Sequence, residues 1–194
     1  MVAQVGDTLR ITSVAKAKYV LHGCWVGKVE RIEEDGTMYG SWGEHAVATT
    51  DGFSVVDFPD ETIDSFIRIN ELDQLKRGKY GKEREDAEAE WLQAVKGIVP
   101  CVGLPCTICY YSDRRAATVT KVFNERRIAV KHNKTRCIDY YAGDYEVLPD
   151  LVGWHEEEIF TKRRNGMWVQ EGQLVKDGVC LMLHYQSHYI DPHF

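Results

Sequence analysis

A chain of 194 residues that is 44% hydrophobic and 28% charged can bury a core, which excludes a disordered polymer as the global answer. Its formal charge of −6 is uneven: residues 1–70 hold 6 Lys/Arg against 11 Asp/Glu, residues 71–100 hold 6 against 7, and residues 101–194 hold 12 against 12, giving −5, −1 and 0. The acidic first stretch repels phosphate backbones, which disfavours generic DNA coating and suits either plain solubility or a basic protein surface.

The opening Met1–Asp7 has neither a basic start nor an apolar h-region, and no apolar run approaches the roughly 20 residues that cross a bilayer. The expectation is a cytoplasmic protein with no membrane partner and reduced thiols, its six cysteines being unevenly placed for a disulfide set. Asp7–Thr12 alternates, Trp25–Ile32 alternates again, and the turn signal Glu34-Asp35-Gly36-Thr37 feeds Met38–Trp42. Further short strands are expected at Ala46–Thr49, at Phe53–Asp57 and, after a turn at Pro59-Asp60, at Ser65–Ile69. Five or so short strands without a long helix predict a small closed or half-closed barrel over residues 1–70.

Residues 71–100 change regime. Lys76–Lys82 reads as a flexible basic link, and Glu83–Lys96 as one amphipathic helix with Ala87, Trp91, Leu92 and Val95 on its apolar stripe, an acidic start and a glycine cap at Gly97. The β pattern resumes over 101–194. Thr107–Tyr111, Ala116–Phe123 and Ile128–His132 form a meander with turns at Ser112–Arg115 and Asn124–Arg127, followed by strands at Phe160–Lys162, Trp168-Val169 and Cys180–Tyr185. The expected fold class is mainly β with one central helix (α+β): two small SH3-like or meander β-barrel modules joined by an amphipathic helix.

Val5–Thr12, Trp25–Val29 and Gly36–Gly43 resemble the SH3-like, KOW-type small barrels of uncharacterised phage and mobile-element proteins. Cys106–Ala116, Arg163–Val169 and the run Tyr189–Phe194 resemble a family of phage proteins with accessory functions, over roughly residues 100–194. That resemblance implies a phage or prophage origin and a role in countering host antiviral defence. A protein of this kind binds a defence protein, such as a CRISPR effector, or sequesters its cyclic or signalling nucleotide. A nucleic-acid-binding KOW module is the alternative. The resemblance supplies no catalytic residue.

Few constellations carry chemistry. Cys106 and Cys109 have the spacing of half a zinc knuckle, with Cys101 just before, but in a strand positions three apart face opposite ways and no second pair completes a site. His184, His188 and His193 gather without an HExxH frame, and His155-Glu156-Glu157-Glu158 after Trp154 reads as a solvated acidic turn sooner than a cation site. Nucleophile elbow, Walker loop and dinucleotide fingerprint are all missing, so the expectation is a non-enzyme without cofactor or metal. Two arginine turns stand beside aromatics. Tyr110, Tyr111, Asp113, Arg114 and Arg115 form one, and Arg163, Arg164, Asn165 and Trp168 the other. Guanidinium forks beside ring faces hold a nucleotide by phosphate contact and base stacking, which makes these nine the candidate ligand residues. Arg126, Arg127, Lys131, His132, Lys134 and Arg136 would extend the surface toward nucleic acid if they shared its face. Exposed barrel edges allow a homodimer.

Overall fold

The computed structural model describes residues 3–11, 26–41, 43–47 and 53–191. The expected strand residues Thr12, Trp25, Trp42, Ala48 and Thr49, together with Pro192, His193 and Phe194, lie outside them. The chain forms two compact units, Met1–Val99 and Pro100–Phe194.

In the first unit β1 (Thr8–Ile11), β2 (Val26–Ile32), β3 (Met38–Gly40), β4 (Gly43–Val47) and β5 (Phe53–Val55) form a sheet in the order β4-β3-β2-β1-β5. The β2–β3 hairpin closes where expected. Glu33 N–H donates to Thr37 O at 2.9 Å, and Gly36 takes φ 83°, a conformation that side chains with a Cβ disfavour.

The segment after Pro59 corrects the sequence reading. Ser65–Ile69 is not a strand but the middle of a helix, α1 (Asp60–Lys76), and position 70, the expected end of the barrel, falls inside it. Isoleucine-rich runs suit strands, yet over the whole segment Ile63, Phe66, Ile69 and Leu72 recur at helical spacing and are all buried. α1 lies against β2 and β4, and the apolar residues buried in the sheet are Leu9, Val26, Val29 and Met38. Asn70 Nδ2 donates to Ser41 O at 2.7 Å, tying the helix to the end of the β2–β3 hairpin.

Among the described residues there are thus two helices where one was expected. The second, α2 (Gly81–Lys96), follows after Arg77–Tyr80, so the basic link is a tight helix–helix turn. Ala87 is buried and Trp91 half-buried, but Leu92 on the expected stripe is exposed, because α2 covers α1 through a narrow seam. Lys76 completes the seam, its Nζ lying 3.7 Å from the Trp91 ring centroid and 3.1 Å from Glu88. Gly97 ends α2 at φ −80°, so its glycine is not used for left-handed freedom. No described helix is long and apolar enough to cross a membrane.

The second unit contains β6 (Pro105–Cys109), β7 (Arg114–Asn124), β8 (Arg127–Asp139), β9 (Asp144–Leu151), β10 (Glu158–Lys162), β11 (Trp168–Gln170) and β12 (Cys180–Met182). Six of them close a barrel, running β10-β11-β12-β6-β7-β8 and back from β8 to β10. Its core is Ile108, Val119, Ile128, Val130, Phe160, Trp168 and Leu181. Closure leaves these short strands no open edge within the ring. β8 serves twice: Arg127–Val130 pair with β10 inside the barrel, and Asn133–Asp139 extend beyond it to pair with β9.

After β12 the chain runs as a strap across β6, β7 and β8. Ser187 N–H donates to Thr107 Oγ1 at 2.9 Å, and Tyr189 exchanges two 2.8 Å backbone bonds with Arg114. Gln186, 1% exposed, donates Nε2 to Ala117 O at 2.7 Å and to Asn133 Oδ1 at 3.1 Å. Asn133 also accepts from Thr118 Oγ1 and donates to Leu148 O, so one buried polar chain ties strap, barrel and β9 together. Gln186→Leu keeps the volume and removes the donor. It should lower stability by about 1–3 kcal/mol, read as a shift of the urea midpoint, and an unshifted midpoint would refute the role given to this side chain.

Candidate functional site

Where β8 leaves the barrel, the second unit opens into a cleft of about 960 Å³. Four stretches line it: Tyr110–Asp113 with Arg115 from the β6–β7 hairpin, His132–Thr135 with Cys137 from β8, Tyr145 and Leu148 of β9 with Val152–His155 beyond, and His188 and Ile190 of the strap.

The β6–β7 turn is tighter than the sequence suggested. Tyr110 N–H donates to Asp113 O at 3.0 Å, and Arg114 and Arg115 already belong to β7. Consecutive strand residues face opposite sides, so Arg115 lines the cleft while Arg114 turns toward Tyr185 on the other face. Asp113 organises the corner. Its Oδ2 accepts from Arg115 Nη2 at 2.9 Å, and its Oδ1 accepts from Asp191 N–H at 3.0 Å.

The second expected cluster lies elsewhere. Arg163 donates Nη2 to Gln173 O at 2.7 Å, Arg164 is exposed, Asn165 Oδ1 accepts from Met167 N–H at 3.1 Å, and Trp168 is buried in the barrel. None of the four lines the cleft. Asn165 and Gly166 serve the β10–β11 turn, which is why an Arg-Arg-Asn-Gly run with a following Trp looked like a ligand motif.

Behind the cleft wall stands a network that spacing alone could not reveal. Glu158, at the start of β10, accepts from His132 Nε2 at 2.7 Å and Tyr110 Oη at 3.3 Å through Oε1, and from Gln170 Nε2 at 3.0 Å through Oε2. His132 stacks on His155, centroids 4.3 Å apart and planes 13° apart, and His155 lies 3.7 Å from the ring of Trp154. Glu158 therefore braces a column of three rings whose outermost member, Trp154, is 81% exposed. The expected acidic turn at 155–158 is divided: Glu158 points to this network and Glu157 pairs with Lys121 at 2.6 Å.

Burial sets the charges here. It pushes the Tyr110 hydroxyl up to about 12, with the Glu158 carboxylate adding to the effect, so Tyr110 stays a neutral donor. Burial likewise lowers His155, helped by its neighbour His132, and takes His188 down to about 4, helped by Arg115. His188 also stands edge-on to Tyr145, centroids 4.8 Å apart. The Arg115 charge acts on Tyr110, Tyr145, His155 and His188 alike, and Arg115 lines the same cleft as these rings.

The His188 shift carries a pH dependence. Its folded value lies below the ordinary 6.5, so as pH falls from about 6.5 toward about 4 the unfolded chain takes up a proton that the fold refuses, and stability falls across that window. Denaturant midpoints should drop more steeply there in the native sequence than in His188→Phe. Parallel curves would remove His188 from the explanation.

The third basic stretch does not gather into one surface. Arg127 forks onto Glu171 at 2.8 and 3.0 Å, Arg136 pairs with Glu146, and Lys134 lies 3.6 Å from Asp150. Only His132 and Lys134 of that stretch line the cleft. Cys106 and Cys109 stand in β6, the first fully buried and the second half-buried, its thiol pushed up to about 11 by burial. No protein-family model matches the chain, and comparison with curated proteins and with solved structures finds no match either.

Proposed function

We propose that this is a non-catalytic binding protein whose second unit captures a nucleotide. The observation that carries the reading is Arg115, fixed by Asp113 at 2.9 Å and facing a cleft walled by Tyr110, Tyr145, Trp154, His132, His155 and His188. A guanidinium held by one carboxylate keeps its remaining N–H donors for phosphate oxygens, and the rings beside it offer stacking faces. Lys134 on the same wall adds a second cation.

A free nucleotide fits better than a polynucleotide. Among the described residues Lys121, Arg127 and Arg136 each have a carboxylate partner on a neighbouring segment, which interrupts the positive charge that a phosphate backbone would follow. In the setting implied by the phage-protein resemblance, such capture removes a host defence signal, and the first unit is read as an SH3-like, KOW-type module whose acidic surface meets protein. Isothermal titration of the full chain with nucleoside mono-, di- and triphosphates should give saturable binding near micromolar concentration and return each nucleotide unchanged by mass spectrometry. An absence of binding at millimolar ligand overturns capture, and a cleaved nucleotide overturns the non-catalytic part.

A further inference from the structure

Of the rings that line the cleft, most are already committed. Tyr110 gives its hydroxyl to Glu158, Tyr145 stands edge-on to His188, and His132 and His155 lie within the column. Two remain open. Trp154 has one face on His155 and is 81% exposed, and Tyr111, on the hairpin that carries Arg115, is 98% exposed. They come from different segments, one after β9 and the other between β6 and β7, and both line the cleft that Arg115 faces. The volume of about 960 Å³ is at the upper end of the roughly 300–1,000 Å³ typical of small-molecule sites. A single base with its phosphate would leave one of the two rings without a partner.

We infer that the cleft takes a dinucleotide, with one base on Trp154, the other on Tyr111, and the phosphodiester linkage on Arg115. The inference rests on the nucleotide-capture reading and deepens it. A two-based ligand of this chemistry is either a linear dinucleotide or its cyclic form. Both present two bases and a phosphodiester linkage, but the cyclic form carries two such linkages where the linear form carries one, and the bases splay at different angles.

The test is calorimetry of the full chain with adenosine monophosphate, linear diadenylate and cyclic diadenylate, repeated with the guanosine series. Each stacked base is worth about 5- to 150-fold in affinity, so at least one dinucleotide should bind more tightly than its monophosphate by a factor in that range. Trp154→Ala and Tyr111→Ala should each abolish that advantage. Both side chains are exposed, and unchanged circular dichroism will confirm that the variants fold. Preference for the linear or the cyclic form identifies the source of the ligand. Equal affinity for mono- and dinucleotide, or sensitivity to only one of the two substitutions, overturns the two-base site while leaving nucleotide capture intact. Failure of every probe to bind overturns both.

Discussion

Replacing Arg115 by alanine should weaken nucleotide binding by about 10- to 150-fold, the equivalent of the roughly 1.5–3 kcal/mol contributed by a hydrogen bond to a charged group. The effect on folding should be small, because the Arg115–Asp113 pair is partly exposed and Asp113 keeps its bond to the Asp191 backbone. Arg115→Lys is the informative companion. It preserves the charge but not the planar fork, so it should recover only part of the loss. Affinity measured by calorimetry at two salt concentrations separates the terms, since a purely coulombic role would let lysine restore binding fully at low salt. Unaltered affinity in Arg115→Ala would remove the cleft as the binding site.

Loss of Glu158 should fall first on stability. Alanine there strips acceptors from His132, Tyr110 and Gln170 together, and leaving such groups unmatched in a half-buried site costs about 2–4 kcal/mol in all. Glu158→Gln should cost less, because its amide oxygen still accepts, although its N–H₂ then faces a donor. The same change should loosen the column, so that Trp154 fluorescence anisotropy falls in Glu158→Ala before any global unfolding. A normal urea midpoint with unaltered anisotropy would show that the three rings hold one another without help from the carboxylate.

Much of the barrel was legible because its strands obey local rules. Ala116–Phe123 and Ile128–His132 are β-branched and apolar with polar turns between, and the structure places β7 and β8 over them. α1 was missed because a five-residue window around Ser65–Ile69 fits a strand as well as a helix, and only the seventeen residues of the whole element show the longer period. β9 was missed for another reason: it contains Pro149, which argues against an interior strand but is tolerated at an edge, and among the described strands β9 pairs only with β8.

The candidate site was half legible. Tyr110, Tyr111, Asp113 and Arg115 are close in sequence and line one cleft, whereas Arg163, Arg164, Asn165 and Trp168 share their composition without sharing their place. His132, Tyr145, Trp154, Glu158 and His188 come together only through strand pairing and the strap, and no spacing rule brings residues from five segments to one wall. The single local hint was Trp154-His155, an aromatic pair in an otherwise acidic turn.

The double membership of β8 gives the strand two lifetimes. Amide hydrogens of its first half sit in a closed ring and should exchange with solvent only when the whole unit opens, whereas those of the second half, held by a hairpin with β9, should exchange through local fraying. A bound guest would slow the fast half and leave the slow half alone, so deuterium uptake along this one strand reports occupancy with its own internal reference.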